Sequence, residues 1–187
     1  MKNRFDRRGL MLLGVSFAVI ALDQYTKGLV RQYLPLNESW NPIPWLDPIV
    51  TLTYVRNTGA AFGLFPNMGP FFVFVAMVVI ALIIIYYRKI SSASWVLRLA
   101  LGLQLGGATG NNMIDRLWYG YVTDFVDVRI WPVFNVADSA VVVGTFLLAY
   151  YALFMDRPPK GEDLSVERPA IADQPSPPED TREAHNR

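Results

Sequence analysis

The sequence predicts a mainly α-helical membrane protein with four transmembrane helices, both termini cytoplasmic, and a small extracytoplasmic β element between helices 1 and 2. Three observations carry this prediction. Of the 187 residues, 52% are hydrophobic and only 18% charged, against about a quarter charged in an ordinary soluble domain. The charges cluster, leaving four apolar segments near the length of a bilayer crossing. Lysine and arginine are then concentrated on alternate connections.

The first crossing runs from about Gly9 to Val30, with a charge-free stretch to Leu22 followed by Asp23 and Lys27. Its basic front and apolar run resemble a signal peptide. However, the small-residue triplet Ser16-Phe17-Ala18 lies inside the apolar run, where a cleavage site should follow it, so retention is expected. The second crossing, about Phe71 to Tyr87, carries no charge. The third, about Trp95 to Met113, turns polar at its end with Gln104, Thr109, Asn111 and Asn112. The fourth, about Phe134 to Met155, contains Asn135 and Asp138.

Lys2, Arg4, Arg7 and Arg8, then Arg88 and Lys89, then Arg157 and Lys160 all fall on one side of four crossings. That side is cytoplasmic by the positive-inside rule. Residues 1–8 are then a cytoplasmic N-terminus and 9–155 the membrane domain. Its outer loops are about 31–70 and 114–133. In the first loop, Ile49 to Arg56 alternates: Val50, Leu52 and Tyr54 share one face and Thr51, Thr53 and Val55 the other. This pattern predicts a short half-buried strand. Asn57-Thr58-Gly59 is a turn signal, and an apolar run resumes at Ala60-Ala61-Phe62-Gly63. Trp40, Trp45, Phe62 and Phe65 suit the headgroup layer. Residues 156–187 hold six of the thirteen prolines, lack periodicity and read as a disordered cytoplasmic tail.

Composition narrows the chemistry. A net charge of +1, with no basic patch interleaved with aromatics, gives no case for nucleic acid. The chain has no cysteine, which excludes disulfides, thiolate metal sites and a cysteine nucleophile. The single histidine, His185, lies three residues from the C-terminus, so a Ser-His mechanism has almost nothing to work with.

Charge near a crossing is costly and commonly functional. Asp23 and Lys27 are four apart, share a helical face and can neutralise each other, or one of them can touch substrate. Asn112 and Asp115 are three apart at the end of the third crossing, followed by Arg116. This group can anchor the interface, or Arg116 can hold substrate. Asp124 lies in the apolar stretch Val122-Thr123-Asp124-Phe125-Val126, and Asp138 lies about one turn into the fourth crossing with no nearby cation. Two carboxylates brought together can share one proton and supply a base and an acid. A catalytic pair, an ion or proton pathway and a structural role all remain open on the residues alone. Asp127 is a weaker rival because Arg129 can pair with it, and Ser139 and Thr58 lack a base partner. Scattered acids form no compact metal-ligand cluster.

The chain resembles the lipoprotein signal peptidase family, also called signal peptidase II, of bacterial inner membranes. The resemblance covers about residues 10–155. It rests on Asp23-Gln24-Tyr25-Thr26-Lys27; on Arg56-Asn57-Thr58-Gly59-Ala60-Ala61-Phe62-Gly63; and on Gly106-Gly107-Ala108 leading to Ile114-Asp115-Arg116. It continues through Gly120-Tyr121-Val122-Thr123-Asp124-Phe125 and Phe134-Asn135-Val136-Ala137-Asp138-Ser139. The blocks occur in order on the four expected crossings.

The resemblance implies an aspartyl endopeptidase with Asp124 and Asp138 as its catalytic pair. It implies substrate-binding or supporting roles for Asp23, Lys27, Asn57, Gly59, Asn112, Asp115, Arg116, Asn135 and Ala137. The substrate it implies is a diacylglyceryl-modified prolipoprotein, cut just before the lipidated cysteine near the extracytoplasmic face of the inner membrane. Membrane lipids are the other expected partner, no cofactor or metal is needed, and a monomer is expected. One departure stands out. The family reads G-N-x-x-D-R, whereas this chain reads Gly110-Asn111-Asn112-Met113-Ile114-Asp115-Arg116, one residue longer. Helical facing to Asp115 selects Asn112, and adjacency to Gly110 selects Asn111. The stretch from Asp124 to Asp138 is also short, and the Pro-rich tail is not a family feature. Against this reading, a transporter using the same carboxylates predicts dependence on an ion gradient, and a lipid-binding protein predicts tolerance of Asp124→Asn. A presenilin-like protease is disfavoured because its YD and GxGD motifs are absent.

Overall fold

The computed structural model describes residues 7–59, 65–87 and 94–155. The expected run Ala60–Gly63, the basic pair Arg88 and Lys89, and the tail lie outside the described residues. The elements are α1 (Arg7–Tyr33), β1 (Ser39–Trp40), β2 (Thr51–Asn57), α2 (Gly69–Tyr87), α3 (Trp95–Ala108), a π-helical segment (Thr109–Arg116), α4 (Leu117–Tyr119), β3 (Val122–Asp127) and α5 (Val136–Tyr150). A second π-helical stretch, Tyr151–Met155, prolongs α5.

Among the described residues, three helices are long and apolar enough to cross a membrane: Gly9–Tyr33, Gly69–Tyr87 and Val136–Met155. They leave bulky apolar side chains such as Phe17, Ile84 and Phe146 exposed. In water this would be a liability, but against hydrocarbon it costs nothing. The third expected crossing, Trp95 to Met113, is helical but does not qualify by length and hydropathy. Its second half is built of polar residues that face the protein, and its regular α-helix stops at Ala108.

α3 packs against both α1 and α5, and glycine makes the approach possible. A Cβ on Gly102 or Gly106 would sit 2.9 or 2.7 Å from the Cβ of Val15 or Val19 on α1. On Gly107 it would sit 2.6 Å from the Ala137 carbonyl oxygen on α5. Small residues at four-residue spacing are how helices approach closely where no hydrophobic effect draws them together. α3 starts from Ser94, whose hydroxyl accepts the Leu97 N–H at 3.3 Å.

The β element departs from expectation. It is a three-stranded antiparallel sheet in the order β1-β2-β3, and β3 comes from the loop after α3. The sheet is therefore not confined between helices 1 and 2. Gly120, at φ +78°, makes the left-handed turn that ends α4 and sends the chain into β3. The expected strand at Ile49–Arg56 forms as β2 at Thr51–Asn57, but its simple alternation fails. Thr51 and Tyr54 are the buried positions, because the pairing shifts register between Leu52 and Val55. Tyr54 and Phe125 pack with Val30 of α1, with Leu34, Leu52, Val126 and Val136 around them. Burying each large side chain here contributes about 1.5–3 kcal/mol, and this cluster fixes the sheet to the end of α1.

Candidate active site

Two groups of aspartates form side by side. In the first, Lys27 is fully buried, with Asp23 and Asp115 each 2.8 Å from its ammonium. Asp23 and Lys27 are one turn apart on α1, so the helix itself sets that pair. The remaining lone pairs are used. Asp23 Oδ1 accepts the Ala137 N–H of α5 at 2.9 Å. Asp115 Oδ2 accepts the Thr123 N–H of β3 at 3.2 Å. Gln24 donates to both acids, at 3.0 and 3.1 Å. Arg31, a further turn along α1, lies 3.7 Å from Asp115 and donates to Thr123 Oγ1 at 3.1 Å. The cluster thus joins α1, the π-helical segment, β3 and the start of α5.

The second group holds Asp124 and Asp138 with amide donors and, among the described residues, no cation in contact. Asp124 Oδ1 accepts from Asn135 Nδ2 at 2.6 Å and Oδ2 from Asn57 Nδ2 at 3.0 Å. Asp138 Oδ1 accepts from Asn111 Nδ2 at 2.7 Å and Oδ2 from the Asn135 N–H at 3.1 Å. Asn135 caps α5, with its Oδ1 accepting the Asp138 N–H at 2.9 Å, so the two residues form a reciprocal capping box. One asparagine therefore holds both carboxylates. Burial first, and the charge of Asp138 second, push the Asp124 carboxyl up from 3.8 to about 7, against the pull of the Asn57 and Asn135 amides.

Both aspartates line one cavity of about 450 Å³. Its far wall is apolar, formed by Phe72, Val75 and Val79 of α2 and by Val141 and Val142 of α5, with Trp131 from the short β3–α5 connection. Arg116 lines the same cavity. Its Nη2 donates to the Gly59 carbonyl at 2.6 Å and its Nε to Asn112 Oδ1 at 3.2 Å. Its guanidinium carbon lies 5.1 Å from the Phe72 ring centre, and its buried Nη1 has no hydrogen-bond partner. Gly59 is itself held by Asn57 Oδ1 at 2.9 Å. Among the described residues, no group of three or more His, Cys, Asp or Glu is placed to hold a metal ion.

The residues singled out in the sequence divide between these features. Asp23, Lys27 and Asp115 form the lysine cluster, while Asn57, Asp124, Asn135 and Asp138 form the second group. Ala137 is fully buried where α5 meets α3 and α1. Asp127 pairs with Arg129 at 3.9 Å and accepts from Thr53 at 3.2 Å, away from both groups.

The two candidate asparagines, Asn111 and Asn112, take different places at the site. It is Asn111 that turns inward, accepting from Lys27 at 2.6 Å and donating to Asp138 at 2.7 Å. Asn112 donates back to the Ala108 carbonyl at 3.3 Å and holds Arg116. Separations of four and of three residues from Asp115 both share a helical face, and the segment that carries both asparagines, Thr109–Arg116, is π-helical. Gln24, Arg31 and Thr123 take part as well, although the sequence alone assigned them no role. Arg31 was readable, since 23, 27 and 31 form one α1 stripe.

A family model for signal peptidase (SPase) II matches residues 15–154. A lipoprotein signal peptidase of Halothermothrix orenii is 47% identical over 141 residues, covering 75% of this chain and 94% of the relative. One from Pelotomaculum thermopropionicum is 49% identical over 144 residues, covering 76% and 92%. A solved bacterial membrane enzyme superposes with a TM-score of 0.69 at 29% identity, covering 81% of this chain and 92% of that one. With its ordered motifs on these helices and the match running through most of its length, the chain belongs to the signal peptidase II family.

Proposed function

We propose that Asp124 and Asp138 are the catalytic pair with which this chain cuts diacylglyceryl-modified prolipoproteins just before the lipidated cysteine. Family membership makes the chain an aspartic-type protease that cleaves signal peptides from prolipoproteins. The observation that carries the residue assignment is the second group itself. Two carboxylates without a contacting cation, bridged by Asn135, line a cavity with an apolar wall.

The geometry supports general acid–base catalysis. In this reading the pair holds one proton near neutral pH, because burial, and then the charge of Asp138, raise the Asp124 carboxyl. The ionised member takes a proton from a water molecule as its oxygen attacks the scissile carbonyl carbon. The protonated member donates to the carbonyl oxygen, giving a neutral tetrahedral diol. The carboxyl protonated by water then donates to the amide nitrogen, a diol hydroxyl returns its proton to the other carboxylate as the carbonyl re-forms, the C–N bond breaks, and the pair again holds one proton. Asn57, Asn111 and Asn135 fix the carboxylate planes, and Arg116 Nη1 offers a donor to a substrate carbonyl.

In this reading α3 and its π-helical extension make the fourth crossing beside the three helices that qualify alone. The N- and C-termini are cytoplasmic, in keeping with the basic flanks. The sheet and cavity then lie near the outer face of a bacterial inner membrane, where a lipid-anchored substrate arrives laterally. The chain works as a monomer, since one copy supplies both aspartates.

The test is cleavage of a diacylglyceryl-modified prolipoprotein by purified protein in lipid, with Asp124→Asn and Asp138→Asn checked for folding. Loss of cleavage in both folded variants is expected. Cleavage surviving in either one removes the assignment.

A further inference from the structure

A second pocket, of about 710 Å³, lies between the outer end of α1 and the sheet. Asp124 and Phe125 are successive residues on β3 and so face opposite sides of the sheet. Asp124 lines the cavity described above, whereas Phe125 lines this pocket with Leu29, Val30 and Leu52. The pocket is therefore on the far side of the sheet from the aspartates.

We propose that this groove seats one acyl chain of a zwitterionic bilayer phospholipid, with its ammonium headgroup beside Glu38. Three observations select that occupant. First, the groove offers little to a polar ligand. Of its hydroxyls, Thr26 Oγ1 already donates within α1, with the Leu22 and Asp23 carbonyls at 2.8 and 3.0 Å, Ser39 Oγ lies 2.8 Å from Thr53 Oγ1, and Tyr33 is exposed at its edge. Second, the groove is continuous with a membrane-facing strip. Leu22, Tyr25, Leu29 and Tyr33 are all exposed at three- and four-residue spacing on the candidate span Gly9–Tyr33. A lipid chain enters sideways without crossing water, which a soluble ligand cannot do. Third, the rim has the chemistry of the headgroup layer. Tyr33 and Trp40 flank it, as amphipathic rings do at that depth. Glu38 adds a carboxylate that has no ion pair among the described residues. That edge is rigid, because the Glu38 carbonyl accepts the Tyr54 N–H of β2 at 3.2 Å. An acid at the rim favours a headgroup bearing an ammonium over a purely anionic one. The bound lipid would brace the sheet from behind, and it is separate from the lipid carried by a substrate. The inference does not use the catalytic assignment, and loss of that assignment leaves it standing.

The test uses the full chain in bilayer discs of palmitoyl-oleoyl phosphatidylethanolamine and phosphatidylglycerol. The ethanolamine lipid carries a photoactivatable diazirine on one acyl chain. Cross-links are expected to concentrate on residues 26–40, Leu52 and Phe125. Native mass spectrometry of the released protein is expected to retain one phosphatidylethanolamine. Leu29→Trp fills the groove and should lower both signals several-fold while prolipoprotein cleavage continues. Ser39→Trp, at an exposed position on the rim, is the second blocking variant if Leu29→Trp does not fold. Glu38→Gln should abolish the preference for the ethanolamine over the glycerol headgroup. Cross-links spread evenly along α1, α2 and α5 and unchanged by either tryptophan would mean annular lipid only and overturn the proposal. So would groove cross-links to a second copy of the chain. A headgroup preference that survives Glu38→Gln overturns the role given to that acid.

Discussion

The two aspartate groups differ in one respect that outweighs their similarity. Asp23 and Asp115 share a buried lysine, whereas Asp124 and Asp138 share only amides. An ion pair with its lone pairs satisfied is inert and holds elements in place. Carboxylates given hydrogen bonds but no contacting cation are free to exchange a proton, with Lys27 and Arg116 acting on them only at a distance. Burial alone therefore does not mark a reactive acid. Asp115 is fully buried and Asp138 only half-buried, yet Asp115 is the spoken-for one. What separates them is the company each keeps.

The largest expected effect follows from removing reactivity while keeping shape. Asp124→Asn and Asp138→Asn preserve volume but turn one of two accepting oxygens into a donor that faces a donor; each should lower kcat for prolipoprotein cleavage by at least about 10³-fold, at a stability cost of about 1–3 kcal/mol. The matching change in the other group should do the reverse. Lys27→Met leaves two buried acids without their cation and should cost about 3–5 kcal/mol of stability, read from thermal melts in detergent. Adding Asp23→Asn and Asp115→Asn to it should recover much of the loss. If Lys27→Met melts like the parent, the division between scaffold and reactive acids is wrong.

A finer cut falls on the residue that touches both groups. Asn111→Ala removes the link from Lys27 to Asp138 and should lower kcat about 10²-fold. Asn112→Ala should act more on KM, through Arg116, and less on kcat. The smallest effect concerns pH. Asp124 lies on a strand outside the long helices, and its carboxyl is raised from 3.8 to about 7. A raised carboxyl binds more protons folded than unfolded, so its contribution to stability is largest below about pH 4 and declines as pH rises through about 7. Asp124→Asn should flatten that part of the stability profile. Cleavage by the parent should also fall as pH rises past about 7, when the pair gives up its shared proton.

Much of this was legible in the residues. α2 announces itself by having no charge, and the Asp23–Lys27 pair by its spacing on a helix. The ordered motifs named the family and pointed to Asp124 and Asp138, which line one cavity. β3 was not legible, because Val122, Thr123, Asp124 and Phe125 are all buried and a strand covered on both faces loses the alternation that betrays one. β2 was found, but its buried face was misread, since a register shift cannot be seen in one strand alone. The choice between Asn111 and Asn112 stayed open for a related reason: separations of four and of three from Asp115 both share a helical face.

The π-helical turn over Thr109–Arg116 also gives the chain slack. An added residue in a regular helix rotates everything after it by about 100°, which here would swing Asp115 away from Lys27 and Arg116 out of the cavity. A local i→i+5 loop takes up the surplus and leaves both ends in phase. The same property works in reverse. Deleting Asn112 would place Asn111 three residues before the acid, the separation that a plain α-helix brings onto one face. Losing the bulge would keep Asp115 and Arg116 in phase but would remove the Asn112 bond to Arg116, so the length of this segment and the chemistry it carries are only partly separable.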